Sequence, residues 1–267
     1  MNIFESIFLG LVQGITEFIP VSSSGHLELA QQILGSSPED FHYFLELINF
    51  GTLLALIIFF RHRIIKILGD IFRRRNFHML INLLLTVIPA GVIGLLLSDI
   101  IDSNGFFSSL YTISIAMALI GLVMVMIDKL PHLSKLKNDD KLTHPRALTI
   151  GLAQTFALIP GVSRSGSTII AGRIMGLDSK SAANYSFLAS IPLMTAVCLK
   201  SLVSSSSRAY IADNLGLLAL SNLVAFIAGM IAISFIMKFL AKPKSLQAFG
   251  YYRIILGSIV LILLLIQ

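Results

Sequence analysis

Long apolar runs alternate with short polar breaks along this chain. Residues 3–19 are mostly apolar with a helical pattern, carry Gln13 and Glu17, and break at Pro20 and the serines that follow. A helix of that length rises about 25 Å, less than the ~30 Å hydrocarbon core of a bilayer. The next piece, 27–34, makes only about two turns before Gly35-Ser36-Ser37-Pro38 stops it. Neither piece spans comfortably, so the pattern predicts a re-entrant hairpin that enters the bilayer and returns to the same face. Irregular backbone at that depth is tolerated only under cover of protein or beside a water-filled cavity. Spans are predicted at 42–60, 79–97 and 110–127, the second interrupted by Pro89 and Gly91. The order then recurs, with a hairpin over 147–175 broken at Pro160-Gly161 and spans at 181–202, 215–237 and 248–266. The expected fold class is an all-α polytopic membrane protein: six transmembrane helices plus two re-entrant helical hairpins.

The two hairpins carry one pattern. At a shift of 141 residues, Gly10, Leu11 and Gln13 fall on Gly151, Leu152 and Gln154, and Val21, Ser22, Ser24 and Gly25 fall on Val162, Ser163, Ser165 and Gly166. Matches in a polar Ser/Gly string inside apolar sequence are uncommon by chance, so the chain reads as two repeats, 1–130 and 144–267. A hairpin crosses nothing and three spans cross three times, so the second repeat starts on the opposite face and the repeat is inverted. The polar hairpin tips would then meet near mid-membrane. The alternative, hairpins that span fully, would give a parallel repeat of eight or more helices; the shortness of 27–34 argues against it.

Composition agrees, at 55% hydrophobic and 13% charged residues, against about 25% charged in a soluble domain. Mean hydropathy is +0.86. The apolar N-terminus lacks a basic leading segment and does not read as a cleaved signal peptide. One cysteine, Cys198, excludes an intrachain disulfide. The net charge of +6 reports topology rather than nucleic acid. Basic residues number 6, 0, 5, 2 and 4 across the five connections between spans, the last tally being Lys238, Lys242, Lys244 and Arg253. That alternation puts 61–78 and 128–146 in the cytoplasm and both termini outside.

The first loop, QGITEFIPVSSSGH, is acidic or neutral, while the second, PGVSRSGST, carries Arg164 where the first has Ser23. An arginine at membrane depth costs ~2.5–3.5 kcal/mol even on lenient scales. One reading is that Glu17 and Arg164 simply pair, which leaves His26 and the hydroxyls unexplained. The other is a phosphate site. Ser-Arg-Ser-Gly at a half-helix N-terminus supplies N–H groups, hydroxyls and a guanidinium fork. Glu17, with Gln13 one turn earlier, could hold a divalent cation against that phosphate. His26 could transfer a proton or attack phosphorus. Five further histidines, His42, His62, His78, His132 and His144, fall at membrane edges or in loops and read as interfacial. Ser204–Ser207 reads as a polar outer loop and Arg73–Arg75 as a topology anchor.

The first loop resembles the [E/Q]-G-x-T-E-F-x-P-V-S-S-[ST]-G-H motif of undecaprenyl-diphosphate phosphatases, the bacitracin-resistance membrane family, and the second resembles its P-G-x-S-R-S-G-x-T motif. Motif order and spacing agree over the whole chain. The resemblance implies hydrolysis of undecaprenyl diphosphate to the monophosphate carrier used in peptidoglycan synthesis, in the inner (plasma) membrane. It also implies a divalent cation such as Mg2+ or Ca2+. Glu17, Ser23, His26 and Arg164 take the catalytic positions, with the nucleophile open between Ser23 and His26. Ser22, Ser24, Ser163, Ser165, Gly166 and Thr168 take the phosphate-binding positions, and Glu17 and Gln13 the metal position. Gln13 stands where a second Glu is common, and FLELINFG replaces a pattern like FEVVIQLG, with Asn49 in place of a Gln. The partners expected are a polyprenyl diphosphate lipid and the bilayer, not nucleic acid, and a homodimer is compatible. A polyprenyl-phosphate flippase is the alternative function, which inverted repeats also suit.

Overall fold

A computed structural model describes residues 1–35, 38–130 and 136–266, leaving Ser36, Ser37, His132 and Lys135 outside the described residues together with the side chain of His42. Among the described residues the chain is helical throughout apart from one isolated bridge, Leu136 to Leu177. The first hairpin is α1 (Ile3–Phe18) and α2 (Ser23–Leu34). Asn2 and Glu5 form a reciprocal capping box at the start of α1, and Gly35, at φ 64°, closes α2. Then come α3 (Pro38–Leu47), α4 (Asn49–Phe59), α5 (Arg61–Arg74), α6 (His78–Ser103), the short α7 (Gly105–Ser108) and α8 (Leu110–Asp128). The second hairpin is α9 (His144–Gln154), a 3-10 turn at Thr155–Leu158, and α10 (Arg164–Ile174). Helices α11 (Ser179–Val203), α12 (Ser205–Phe239) and α13 (Ser245–Ile266) complete the chain.

Among the described residues five helices, α6, α8, α11, α12 and α13, are long and apolar enough to cross a membrane alone. The span expected at 42–60 is α3 and α4 instead; it reaches six only when joined to α5 across a 68° bend. Large apolar side chains such as Leu95, Leu96, Ile262 and Leu265 stand exposed on these helices, as lipid-facing residues do. The chain is a polytopic α-helical membrane protein.

Three sequence expectations change. Residues 61–74 are not a loop: they form α5, which buries none of its side chains and sets Ile65, Leu68 and Phe72 on the face opposite Arg63 and Arg74, with only the first residue, Arg61, on the apolar side, the pattern of a helix lying in the interface. Ser205–Ser207 are the first turn of α12, capped by the Ser204 hydroxyl. That helix would be about 52 Å long if straight, far more than a bilayer core, and its backbone breaks at Asn214. Arg253 is no loop charge. It lies within α13 and is fully buried. Removing it leaves the last tally at Lys238, Lys242 and Lys244, so the alternation survives.

The halves exchange partners reciprocally. Helix α1 packs on α12 and α9 packs on α6, while α8 packs on α13. The repeat-equivalent Gly10 and Gly151 make the first two approaches: a Cβ would stand 2.7 Å from the Ser221 carbonyl oxygen at one and 2.4 Å from the Leu85 carbonyl oxygen at the other. Small residues permit such backbone approach where lipid supplies no hydrophobic drive. Arg253 then fixes the two hairpin tips. Its Nε donates to the Met117 carbonyl (3.2 Å), Nη1 to Pro20 (3.2 Å), and Nη2 to Gly161 (2.6 Å) and Val162 (3.1 Å). One guanidinium thus ties α8 to both polar loops.

The α5 helix is locked to the 136–143 segment. Arg63 pairs with Asp139 and Asp140, and Lys66 with Asp140. Burial holds the Asp139 carboxyl above its ordinary range against the pull of Arg63. Burial also raises Asp140, but hydrogen bonds from Arg63 and Lys66 outweigh it and leave that carboxyl below its range.

Two predictions follow from this geometry. With Cys198 replaced, cysteines placed at Asp70 and Lys141 label together: both are shielded from an impermeant reagent in intact cells and both react in inverted vesicles. Labelling of either from outside reverses the orientation. Arg253→Lys, which can reach fewer of the four carbonyls, lowers the thermal midpoint in detergent, because each buried acceptor left unsatisfied costs about 1–3 kcal/mol. An unchanged midpoint would remove Arg253 from its clamping role.

Candidate functional site at the hairpin tips

The two polar loops adopt one conformation. Ser22 and Ser163 sit at φ 76° and 75°, rare for a side-chain-bearing residue, and each begins a half-helix. The Ser22 hydroxyl accepts from the Gly25 N–H at 3.3 Å and the Ser163 hydroxyl from the Gly166 N–H at 3.1 Å. Each contacts the next serine but one, Ser24 or Ser165, at 3.2 Å. A Cβ on Gly166 would meet the Ser163 side chain at 3.2 Å, so the glycine leaves the cap room.

The loops converge on Glu17, near the end of α1. Arg164, the first residue of α10, donates from Nη2 to Glu17 Oε1 at 2.6 Å. Ser23, the first residue of α2 and the repeat equivalent of Arg164, donates from Oγ to Glu17 Oε2 at 2.7 Å. Gln13 Nε2 donates to the same oxygen at 3.2 Å and to Asn49 Oδ1 at 3.0 Å. The side chains of Arg164 and Glu17 are 17% and 11% exposed, so the pair is largely shielded but reachable. Arg164 is not consumed by the pairing, since its Nη1 is buried with no hydrogen-bond partner. It also faces an apolar cavity of about 520 Å³, lined by Gly94, Leu158, Leu193 and Val197, with Lys200 on its wall.

The other expected residues divide. His26 stands apart from the Glu17 cluster in its bonding: Nδ1 lies 2.7 Å from the Ser22 carbonyl and Nε2 lies 2.7 Å from the Tyr252 hydroxyl, with the two rings stacked. A carbonyl only accepts, so Nδ1 carries the proton, and in the neutral ring Nε2 accepts from Tyr252. Thr168 is 1% exposed and turned inward, 2.9 Å from the Arg164 carbonyl and 2.6 Å from the Ser186 hydroxyl. It fastens α10 to α11. Gln13 presents an N–H to Glu17, and the orientation is fixed because Asn49 already spends its own amide N–H groups on the Leu45 and Glu46 carbonyls. Gln13 as placed is a donor, and acting as a cation ligand would require its amide to turn over. Among the described residues no three His, Cys, Asp or Glu side chains gather as a metal cage. Glu17 is the one carboxylate in this cluster, its Oε1 taken by Arg164 and its Oε2 by Ser23 and Gln13, so it could give a hard cation one ligand only, with substrate phosphate oxygens completing the shell.

Sequence reading missed Arg253, Tyr252 and the structural use of Asn49. The signal for Arg253 was its depth, inside the apolar run 248–266 rather than before it.

Comparison with known proteins bears on this arrangement. Relatives named undecaprenyl-diphosphatase are 38% identical in Persephonella marina (99% of this chain, all of the relative), 37% in Clostridioides difficile (98% and 96%) and 36% in Flavobacterium johnsoniae (98% and 96%). A family model described as bacitracin resistance protein BacA matches residues 6–259, from the second turn of α1 into the second half of α13, and the chain belongs to that family.

Proposed function

We propose that this chain hydrolyses undecaprenyl diphosphate to undecaprenyl phosphate and inorganic phosphate, working as a multi-pass protein of the inner (plasma) membrane and recycling the lipid carrier of cell-wall synthesis. Full-length relatives of that name support the reading. The observation that carries it in this chain is the shared carboxylate, Glu17, gripped by repeat-equivalent residues of both loops beside an apolar cavity. The reciprocal pairing of α1 with α12 and α9 with α6 supports an inverted repeat of 1–130 and 144–267. A pure flippase would leave the Ser23–Glu17 pairing without a chemical use.

The residues suggest a division of labour. Arg164, with Nη1 free and the α10 N-terminus behind it, binds the terminal phosphate, while the apolar cavity receives the first part of the polyprenyl tail. Ser23 Oγ attacks the terminal phosphorus as Glu17 Oε2 takes its proton. The bond to undecaprenyl phosphate breaks, and water then releases phosphate from the serine. Gln13 and Asn49 hold the Glu17 carboxylate in place. Tyr252 donates to His26 Nε2, and the pair is placed to relay a proton through the Tyr252 hydroxyl. Glu17 and the phosphate oxygens would hold a divalent cation, which supplies charge neutralisation at the diphosphate.

Phosphate release from a polyprenyl diphosphate, at matched folded protein, tests these roles. Arg164→Lys folds and inserts but loses ~10²–10³ in rate, because a point charge replaces a fork that bridges two oxygens. Glu17→Gln is as severe and added Mg2+ rescues it little, a neutral amide being a poor ligand for a hard cation. If Glu17 and Arg164 were only a structural pair, Arg164→Lys would keep near-normal turnover and the double change Glu17→Gln with Arg164→Gln would restore activity; either result sinks the assignment.

The nucleophile has its own test. Rapid quenching of 32P-labelled substrate gives acid-stable label on Ser23, absent in Ser23→Ala. Acid-labile label on His26 instead would move the nucleophile to the imidazole.

A further inference from the structure

A second cavity, about 430 Å³, lies where α8, α10 and α12 end and α11 and α13 begin. Its charges come from different elements: Lys129 after α8, Arg173 in the last turn of α10, Lys180 in α11, and Lys242 and Lys244 in the turn before α13. Two carboxylates share the lining, Asp128 and Asp178, and both have structural employment. Asp178 caps α11 by accepting from the Ser181 N–H at 2.7 Å, and Asp128 Oδ2 accepts from the Gln247 N–H at 3.2 Å, at the start of α13.

Arg173 is the unusual member. It is 4% exposed, yet its guanidinium is poorly satisfied. The nearest Asp128 oxygen is 3.8 Å from Nη2, Nη1 reaches the Leu177 carbonyl only at 3.5 Å, and Nε has no hydrogen-bond partner. Buried guanidinium donors are ordinarily paired. Here they are left over on the wall of a cavity with five cations and two occupied carboxylates. Nine residues of α10 separate Arg173 from Arg164, a rise of about 14 Å, so this cavity is distinct from the Glu17 site. It lies at the bundle end that the charge alternation assigns to the cytoplasm.

We propose that this cavity is a second anion site, taking a terminal phosphate group, either the headgroup of an anionic lipid or free inorganic phosphate. The volume accommodates such a group, the lysines supply long-range attraction, and Arg173 supplies unspent donors at the base. The inference does not depend on phosphatase activity at the hairpin tips.

The test uses the full-length protein purified in detergent, with ligand retention read by native mass spectrometry. The probes are dioctanoyl phosphatidic acid, dioctanoyl phosphatidylcholine and inorganic phosphate. Wild-type protein binds the phosphatidic acid at least ~10-fold more tightly than Lys180→Gln/Lys242→Gln, a loss equivalent to one charge-assisted contact. Arg173→Gln, if it folds, shows a similar loss. Phosphatidylcholine shows no difference between the proteins, and a control of equal charge change, Lys141→Gln/Arg146→Gln, binds as wild type does. Lys180→Gln/Lys242→Gln releases phosphate from polyprenyl diphosphate at the wild-type rate. Displacement of the lipid by inorganic phosphate identifies free phosphate as a ligand, and resistance to displacement identifies the lipid headgroup. Equal affinity of wild type and Lys180→Gln/Lys242→Gln, an equal loss in the control, or equal binding of phosphatidylcholine overturns the proposal. Failure of the phosphatase reading would appear as no phosphate release from any variant, with the lipid-binding differences intact.

Discussion

A charge inside a bilayer has no water to fall back on, and this fold is arranged around one such charge. Arg253 is fully buried and meets four carbonyl oxygens rather than a carboxylate. Hydrogen bonds to a charged group contribute about 1.5–3 kcal/mol each, enough in sum to offset the ~2.5–3.5 kcal/mol insertion cost of an arginine at depth. The acceptors are also informative. Pro20, Gly161 and Val162 lie in the two breaks between half-helices, where carbonyls lack helical partners. The same guanidinium therefore resolves two problems of irregular backbone in lipid and brings the two breaks to one point. Ser23 and Arg164 follow the breaks by one to four residues, so their meeting at Glu17 is a consequence of that clamp.

The hairpins were legible because their signal is polar. A Ser/Gly string cannot be a lipid-facing surface, and its recurrence at a fixed shift identifies both loops without any structure. Depth was legible in the predicted spans but not in the charge count. The charge alternation counts arginines by their place along the chain, and Arg253 lies near enough to Lys242 and Lys244 to be counted with them. The same rule hid α5, since a run of basic residues reads as a connection whether or not it is helical; only the spacing of Ile65, Leu68 and Phe72 against Arg63 and Arg74 separates the two. Side-chain direction was also beyond reach. Thr168 shares a motif with Arg164 but is buried, its hydroxyl spent on the Arg164 carbonyl one turn earlier and on the Ser186 hydroxyl of α11.

The loop pattern shared at the 141-residue shift accounts for what is alike in the two hairpins, and the departures from it account for their different polar groups. Both loops use a positive-φ serine to cap a half-helix, and both use a glycine twelve positions earlier to reach a partner helix. Equivalent backbones then place positions 23 and 164 toward a common point. Had the repeats stayed identical, two serines or two arginines would face each other, the first with no charge to bind phosphate and the second with mutual repulsion at depth. The divergence gives one hydroxyl and one guanidinium, and Glu17, whose repeat equivalent is Leu158, has two oxygens to receive them. A single acid can thus neutralise the arginine in the resting protein and hold the serine at the same time. Under the proposed function a diphosphate would compete with Glu17 for Arg164, and each guanidinium contact given to phosphate would leave the carboxylate less neutralised and a better proton acceptor for Ser23. Binding of the anion and activation of the hydroxyl would then be one event, coupled through a carboxylate that only one repeat supplies.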